Sequence, residues 1–183
     1  MAYTIWIILG ILAVFALYII LTFNSLISLR NRVNNAWSQI DVQLKRRYDL
    51  IPNLVNAVKG YMKHEKGVLT EITRMRSSLI SGSMSQKSKA SDAISNALKT
   101  IFAVSERYPK LQASENFKML QEELSGTESK IAFSRQFYND NVMVLNNKIQ
   151  QFPSNIIANM LKFNEREFFK SEESEKKPVK VEF

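Results

Sequence analysis

The feature that most constrains the fold is an apolar run at residues 5–23, IWIILGILAVFALYIILTF, which contains no charged side chain. As a helix, its nineteen residues would extend over roughly 28 Å, close to the hydrocarbon thickness of a bilayer. Tyr3 and Trp6 lie near its start, where aromatic rings favour the membrane interface. The run therefore predicts a transmembrane anchor over residues 1–24.

A cleaved signal peptide and a buried core helix are the alternatives for this run. A signal peptide has positive residues before a shorter apolar stretch, and a small-residue cleavage site after it. Here MAYT precedes the run, no Ala-x-Ala follows it, and the first positive residues, Arg30 and Arg32, lie on its C-terminal side. A membrane anchor is therefore favoured, and the positive flank predicts that the N-terminus lies outside and the following domain in the cytoplasm.

Composition narrows the class of the domain after the anchor. With 5 Gly and 4 Pro in 183 residues, the chain has too few turn residues for a β-sandwich or barrel, so helix is favoured. The absence of Cys excludes disulfides, thiolate metal sites and a Cys nucleophile. The net charge of +8 arises entirely after residue 23. It favours anionic lipid head groups over nucleic acid as a partner, although a simply solvated surface is the plainer explanation.

Helical periodicity begins directly after the anchor. Apolar residues recur at steps of three or four, with no alternation of the kind a strand requires. This stripe predicts one long amphipathic helix that reaches about Ser81 and is kinked at Pro52. Its first members are Val33, Trp37, Ile40, Leu44, Tyr48, Ile51, Val55, Val58 and Met62.

The remaining sequence predicts shorter and longer helices separated by polar segments. Residues 81–91, SGSMSQKSKAS, have no apolar face and are predicted to be a mobile linker, after which Asp92 is a candidate N-cap for a second helix. A long third helix is expected to end at Pro153 and to bury Phe117, Leu120, Leu124, Ile131, Tyr138, Val142, Leu145, Ile149 and Phe152.

The third helix is followed by a short fourth one and a tail. Ser154 or Asn155 is expected to cap this helix, which carries Ile156, Ile157, Met160 and Leu161. Residues 166–183 are charged and predicted to be disordered. Because the apolar stripes can be buried only against one another, residues 25–165 are expected to form an all-α, antiparallel up-and-down bundle built on two long helices.

No motif in the sequence points to catalysis. The single His, His64, is followed by Glu65, but the second His of a zinc-protease HExxH is missing, so His64 is interpreted as a surface residue. Neither a phosphate-binding Gly-rich loop nor a GxSxG nucleophile turn occurs. We therefore expect no enzymatic activity, no cofactor and no metal.

The densest polar cluster is KRRYDLIPN, residues 45–53. Arg46, Asp49 and Asn53 recur at helical spacing and share a side of the first helix. One interpretation is a hydrogen-bond and ion-pair network with the third helix; the other is a recognition surface beside the Pro52 kink. The candidate residues for either role are Arg46, Arg47, Asp49, Asn53, Glu128 and Arg135.

Two stretches of the chain resemble the LemA family of bacterial membrane proteins. The first, residues 30–65, is RNRVNNAWSQIDVQLKRRYDLIPNLVNAVKGYMKHE, and the second runs from Tyr108 through LQEELSGTESKIAFSRQFYNDNV to Ala158. The resemblance implies a helical bundle behind one N-terminal span in the bacterial inner membrane, and no enzyme activity. Gly67 departs from the family pattern, where a better helix former is common.

Some LemA relatives are associated with vesicle or organelle formation, and this analogy suggests two hypotheses. In the first, the bundle self-associates as a homo-oligomer and organises or shapes the membrane at its cytoplasmic face. In the second, it is an adaptor that docks another membrane protein, such as a protease or sensor. Anionic lipids are the expected partners in both cases, and nucleic acid is not.

Overall fold

The computed structural model describes residues 2–62 and 65–169, and these residues contain helices and no strand. The all-α fold class is therefore confirmed. His64 falls outside the described residues. The helices are α1 (Ala2–Lys59), α2 (Lys66–Arg76), α3 (Ser78–Ser81), α4 (Met84–Ser105), α5 (Pro109–Gln112), α6 (Glu115–Gln150) and α7 (Ser154–Met160).

Helix α1 continues from the apolar run into the amphipathic stripe without interruption. No residue between 24 and 31 departs from helical structure, which confirms the predicted continuity, and the helix passes through Pro52 without ending. Most side chains in the apolar run are exposed, and α1 is long and apolar enough to cross a membrane. Farther along, Val33, Ile40 and Leu44 are buried, as their spacing predicts.

The chain forms two compact units, to both of which α1 and α6 contribute. Of the described residues, unit 2 comprises those from Ser38 to Gln136 and Phe169. In this unit α1, α2, α4 and α6 alternate in direction. Arg76, at the end of α2, donates to the Tyr48 carbonyl (2.8 Å), whereas Lys87, near the start of α4, pairs with Asp41 (2.6 Å). These contacts give the expected up-and-down arrangement.

Unit 1 comprises Met1–Trp37 and Phe137–Phe168. Trp37 on α1 packs edge-on against Tyr138 on α6, with ring centroids 5.7 Å apart. Arg30 lies over the Phe163 ring at 5.5 Å, and it lines a shallow depression together with Leu145. A step of seven residues back along α1, from Trp37 to Arg30, therefore matches a step of seven residues forward along α6, from Tyr138 to Leu145. The two helices are antiparallel in this unit.

The prediction of one helix reaching Ser81 is wrong, because α1 ends at Lys59. The chain turns at Gly60 and Tyr61, and α2 then folds back along α1. Met62 and Ile72 remain fully buried on either side of this turn. Periodicity defines which side chains need burial, but it does not distinguish a straight helix from two helices joined by a tight turn.

The mobile linker predicted at residues 81–91 is also wrong, because α4 begins at Met84. Ser83 caps it through a capping box: its hydroxyl accepts from the Gln86 backbone N–H, and the Gln86 side chain accepts from the Ser83 backbone N–H. Ser88 and Ser91 are buried in the helix, so their small size permits close helix packing. Asp92 is consequently an interior residue of α4 and not its N-cap.

Helix α6 ends where the sequence predicts, but the side chain of Phe152 after it is not buried. The helix stops at Gln150, before Pro153, yet Phe152 is 79% exposed and not buried as predicted. Neither Ser154 nor Asn155 caps α7, which has Pro153 at its N-cap and no side-chain cap bond. The Ser154 hydroxyl instead lies 2.7 Å from the Lys148 carbonyl and 2.9 Å from that of Gln151.

The first residues of the predicted tail are bound to α6. The Asn146 side chain accepts from the Arg166 backbone N–H and donates to its carbonyl, both at 2.9 Å. The Tyr138 hydroxyl donates to the Glu167 carbonyl at 3.0 Å. Burial raises the pKa of this phenol, with smaller opposing effects of Arg166 and Glu167. Residues 170–183 of the predicted tail lie outside the described residues.

Candidate functional site: a buried arginine network

Arg47 on α1 is the largest fully buried side chain of the bundle, with 0% of its surface exposed. One guanidinium nitrogen, Nη1, lies within hydrogen-bonding distance of the Ser91 carbonyl (3.1 Å), the Ser91 hydroxyl (3.2 Å) and the Ser95 hydroxyl (3.1 Å). The other, Nη2, forms an ion pair with Glu128 on α6. Arg47 therefore links three helices, α1, α4 and α6.

Ser95 connects the two charged members of this network. Its hydroxyl is a donor to Glu128 Oε1 at 2.7 Å and an acceptor for Arg47 Nη1. A hydroxyl can donate and accept at the same time, so Ser95 satisfies a polar atom on each neighbouring helix. Among the described residues, Arg47 Nε is buried without a hydrogen-bond partner, which leaves the network nearly but not fully satisfied.

A second ion pair lies beside the first. Arg135 on α6 donates to Asp92 on α4 at 2.7 Å, and their side chains are 12% and 9% exposed. The Arg135 guanidinium also lies over the Phe169 ring, 4.7 Å from its centroid. Asp92 and Ser95 are one turn apart on α4, and Glu128 and Arg135 are two turns apart on α6. The Asp92–Arg135 ion pair and the Ser95–Glu128 hydrogen bond therefore both join α4 to α6, whereas the Arg47–Glu128 pair joins α1 to α6.

Burial dominates the electrostatics of Arg47. It lowers the pKa of the guanidinium, and the negative charge of Glu128 opposes that shift; Arg135 and Asp92 contribute smaller effects of opposite sign. An arginine side chain nevertheless stays protonated in proteins, so a full positive charge is held in the bundle interior. Such a charge is tolerated only while its hydrogen-bonding partners remain in place.

The six residues singled out from the sequence separate into two groups. Arg47, Glu128 and Arg135 lie in the interior network. Arg46 and Asp49 instead form surface ion pairs, with Glu123 (2.8 Å) and Lys45 (3.1 Å) respectively, and Asn53 is exposed. The sequence interpretation missed Ser91, Asp92 and Ser95, because the Ser-rich stretch that contains or adjoins them was assigned to a linker and a helix start.

The arrangement of these side chains joins three helices. The Arg47 side chain is fully buried, so a substrate could not reach its guanidinium group. Within residues 2–62 and 65–169 there is no group of three or more His, Cys, Asp or Glu side chains that could hold a metal ion. A buried polar network of this kind can specify the register of the helices that it connects.

Comparison with known proteins agrees with this architecture. The LemA family profile matches residues 36–183, which include the whole arginine network. Protein LemA of Metamycoplasma hominis is 30% identical over 161 residues, which cover 85% of this chain and 72% of the relative.

Two magnetosome proteins are more distant relatives. Magnetosome protein MamQ 2 of Paramagnetospirillum magneticum is 22% identical over 188 residues, covering 88% of this chain and 69% of its own. Magnetosome protein MamQ of Magnetospirillum gryphiswaldense is 20% identical over 195 residues, covering 92% and 72%. Together with the exposed apolar helix, these similarities indicate a membrane-associated helical protein. From the extent of the profile match and the identity to protein LemA, the chain belongs to the LemA family.

Proposed function

We propose that this protein is a single-span scaffold of the bacterial inner membrane, which self-associates and organises or shapes the membrane at its cytoplasmic face. The observation that carries the proposal is the unbroken course of α1 from an exposed apolar run into a buried amphipathic stripe. A span joined to a folded domain without a flexible linker can transmit the arrangement of the domains to the bilayer.

The charge distribution supports an N-terminus outside and a domain in the cytoplasm. Every charged residue follows residue 23, and Arg30 and Arg32 are exposed on the first turns beyond the apolar run. Positive residues near the end of a span favour the cytoplasmic side. They would also attract anionic lipid head groups of the inner leaflet.

Unit 2 offers a surface for self-association. Phe133 on α6 and Val42 on α1 are 69% and 62% exposed, and they line an open depression together with Gln39 and Ser129. Exposed apolar side chains next to a concave surface are typical of protein contacts. The two relatives named as magnetosome proteins lend further support to a role in organising membrane, by analogy.

Reconstitution of the full chain into liposomes that contain an anionic phospholipid tests this function. Electron microscopy should show regular assemblies or remodelled membranes, and chemical crosslinking should give homo-oligomers. Phe133→Glu should weaken both, whereas Met143→Glu, at an exposed α6 position outside that depression, should leave both intact. Monomeric protein in unaltered liposomes would contradict the proposal.

The alternative function is an adaptor that docks another membrane protein. It is favoured by the surface around Arg46 and Glu123, where a mixed polar and apolar depression of about 340 Å³ is open to solvent. Crosslinking in cells from position 46, followed by mass spectrometry, separates the two functions. An adaptor should give one dominant heterologous partner, and a scaffold should give mainly copies of itself.

A further inference from the structure

The turn after α6 and the outer face of α7 carry a cluster of exposed apolar side chains. Phe152 is 79% exposed, Ile156 59% and Met160 65%. Ser154, Ile157 and Ala158 dock the opposite face of α7 into unit 1. One side of the helix is therefore buried against unit 1, and the opposite side exposes Ile156 and Met160, which are one turn apart.

The antiparallel register of unit 1 gives the level of this cluster along α1. Trp37 packs against Tyr138, and seven residues from this contact along each helix Arg30 and Leu145 line the same depression. Continuing this register by five residues brings the end of α6, at Gln150, to about residue 25 of α1. The apolar run ends at residue 23, so the cluster lies at the level where α1 leaves the bilayer.

Burial along α1 supports the same level. Thr22 is 3% exposed and Leu26 is 0% exposed, so the folded protein covers one side of α1 up to the last turn of the apolar run. On its other sides the span remains bare, with Ile20 and Leu21 more than half exposed. The protein surface at this level is therefore continuous with the lipid-facing surface of the span.

Basic residues lie near the cluster along the chain, and two of them line a depression that also contains Glu165. Lys162, two residues after the end of α7, is exposed, and it lines a depression together with Arg30. Lys148 lies in the last turn of α6. An apolar face flanked by lysine and arginine is the composition of segments that lie in a membrane interface, where apolar side chains enter the acyl boundary and cations pair with phosphate groups.

We infer that α7, together with Phe152, is a second membrane contact that lies in the interface of the leaflet from which α1 emerges. Phe152, Ile156 and Met160 insert between the lipid head groups, and Lys162 and Arg30 bind anionic head groups beside them. This inference rests on the span in the proposed function, but it requires neither self-association nor remodelling. It gives the domain two points of attachment to one bilayer.

Site-directed spin labelling of the full chain in vesicles with anionic phospholipid tests this contact. The chain has no Cys, so single variants Ile156→Cys and Met160→Cys can be labelled without other changes. Met143→Cys is the matched control, because Met143 is an exposed methionine on α6, about 10 Å nearer to the start of that helix than Gln150. Ile11→Cys reports on the span itself.

Collision with oxygen, which concentrates in lipid, is compared with collision with a water-soluble nickel chelate. Labels at 156 and 160 should favour oxygen, as the label at 11 does, whereas the label at 143 should favour nickel. Nickel preference at 156 and 160 would overturn the inference, and so would low access to both reagents, which indicates a protein contact such as a second copy. If the label at position 11 is not in lipid, both the proposed span and this inference are wrong. If only the labels at positions 156 and 160 are outside lipid, the inference is wrong and the span is unaffected.

Discussion

Neutralising Glu128 should destabilise the protein more than removing Arg47, although the two residues form one ion pair. The asymmetry follows from their burial, because the Arg47 side chain is 0% exposed and that of Glu128 is 38% exposed. Glu128→Gln leaves a positive charge in the interior without a counter-ion. Arg47→Met leaves a carboxylate that water can reach, and it replaces the guanidinium with an apolar side chain of similar length.

The expected losses in the free energy of unfolding follow from the known cost of an unpaired buried charge. Leaving a buried charge without its partner costs about 3–5 kcal/mol, and Glu128→Gln should cost about 3 kcal/mol, since the amide oxygen can still accept from Arg47. For Arg47→Met we expect about 1–2 kcal/mol, because solvent screens the remaining Glu128 and the main loss is the hydrogen bonds to Ser91 and Ser95. The double variant should be more stable than Glu128→Gln alone.

Urea unfolding of the full chain in a mild detergent, followed by far-ultraviolet circular dichroism, measures these differences. The surface pair provides a control: Glu123→Gln, which removes the exposed partner of Arg46, should change the free energy of unfolding by less than about 1 kcal/mol. An equal or larger loss for Arg47→Met than for Glu128→Gln would refute the reasoning. It would mean that the packing and hydrogen bonds of Arg47, and not its uncompensated charge, decide its contribution.

Three further predictions concern other parts of the fold. Ser83→Ala removes the capping box of α4 and should cost about 1 kcal/mol in urea unfolding, whereas Ser85→Ala, an exposed change inside α4, should cost almost nothing. Burial raises the pKa of Tyr138, so the folded state keeps this proton to higher pH than the unfolded state does. The contribution of Tyr138 to stability should be constant below pH about 10 and fall above it, and Tyr138→Phe should remove that part of the fall. Asn146→Ala removes both bonds to the Arg166 backbone, and hydrogen exchange at the Arg166 amide should become faster, with an unchanged rate arguing that the clamp contributes little.

The long helices were predictable because each carries a stripe with one period over many turns. Val33, Ile40 and Leu44 on α1 are buried where the spacing places them, and α6 ends before Pro153. The turn at Gly60 was not predictable from the stripe, since residues on both sides of it are buried. Helix propensity and period describe local geometry, whereas a reversal of direction depends on what the following helix can pack against.

The Ser-rich segment shows the limit of composition as a guide. Serine is common in loops because its hydroxyl competes for backbone hydrogen bonds, yet in α4 the same small side chain permits close packing. Ser91 and Ser95, one turn apart, then supply hydroxyls to the Arg47 network. The i, i+4 spacing of these serines was visible in the sequence. The role of this spacing was not visible, because the buried guanidinium that both hydroxyls bind lies on a helix forty-four residues earlier in the chain.

The unbroken course of α1 through residues 24–31 also sets an angle. Each residue advances an α-helix by about 100°, so the exposed sides of the apolar run have a fixed rotation relative to the stripe that begins at Val33. One inserted residue would turn the two faces apart by about that angle, whereas seven would nearly restore the angle and add about 10 Å of length. Any partner or lipid that selects one side of the apolar run therefore also orients the buried stripe that follows it.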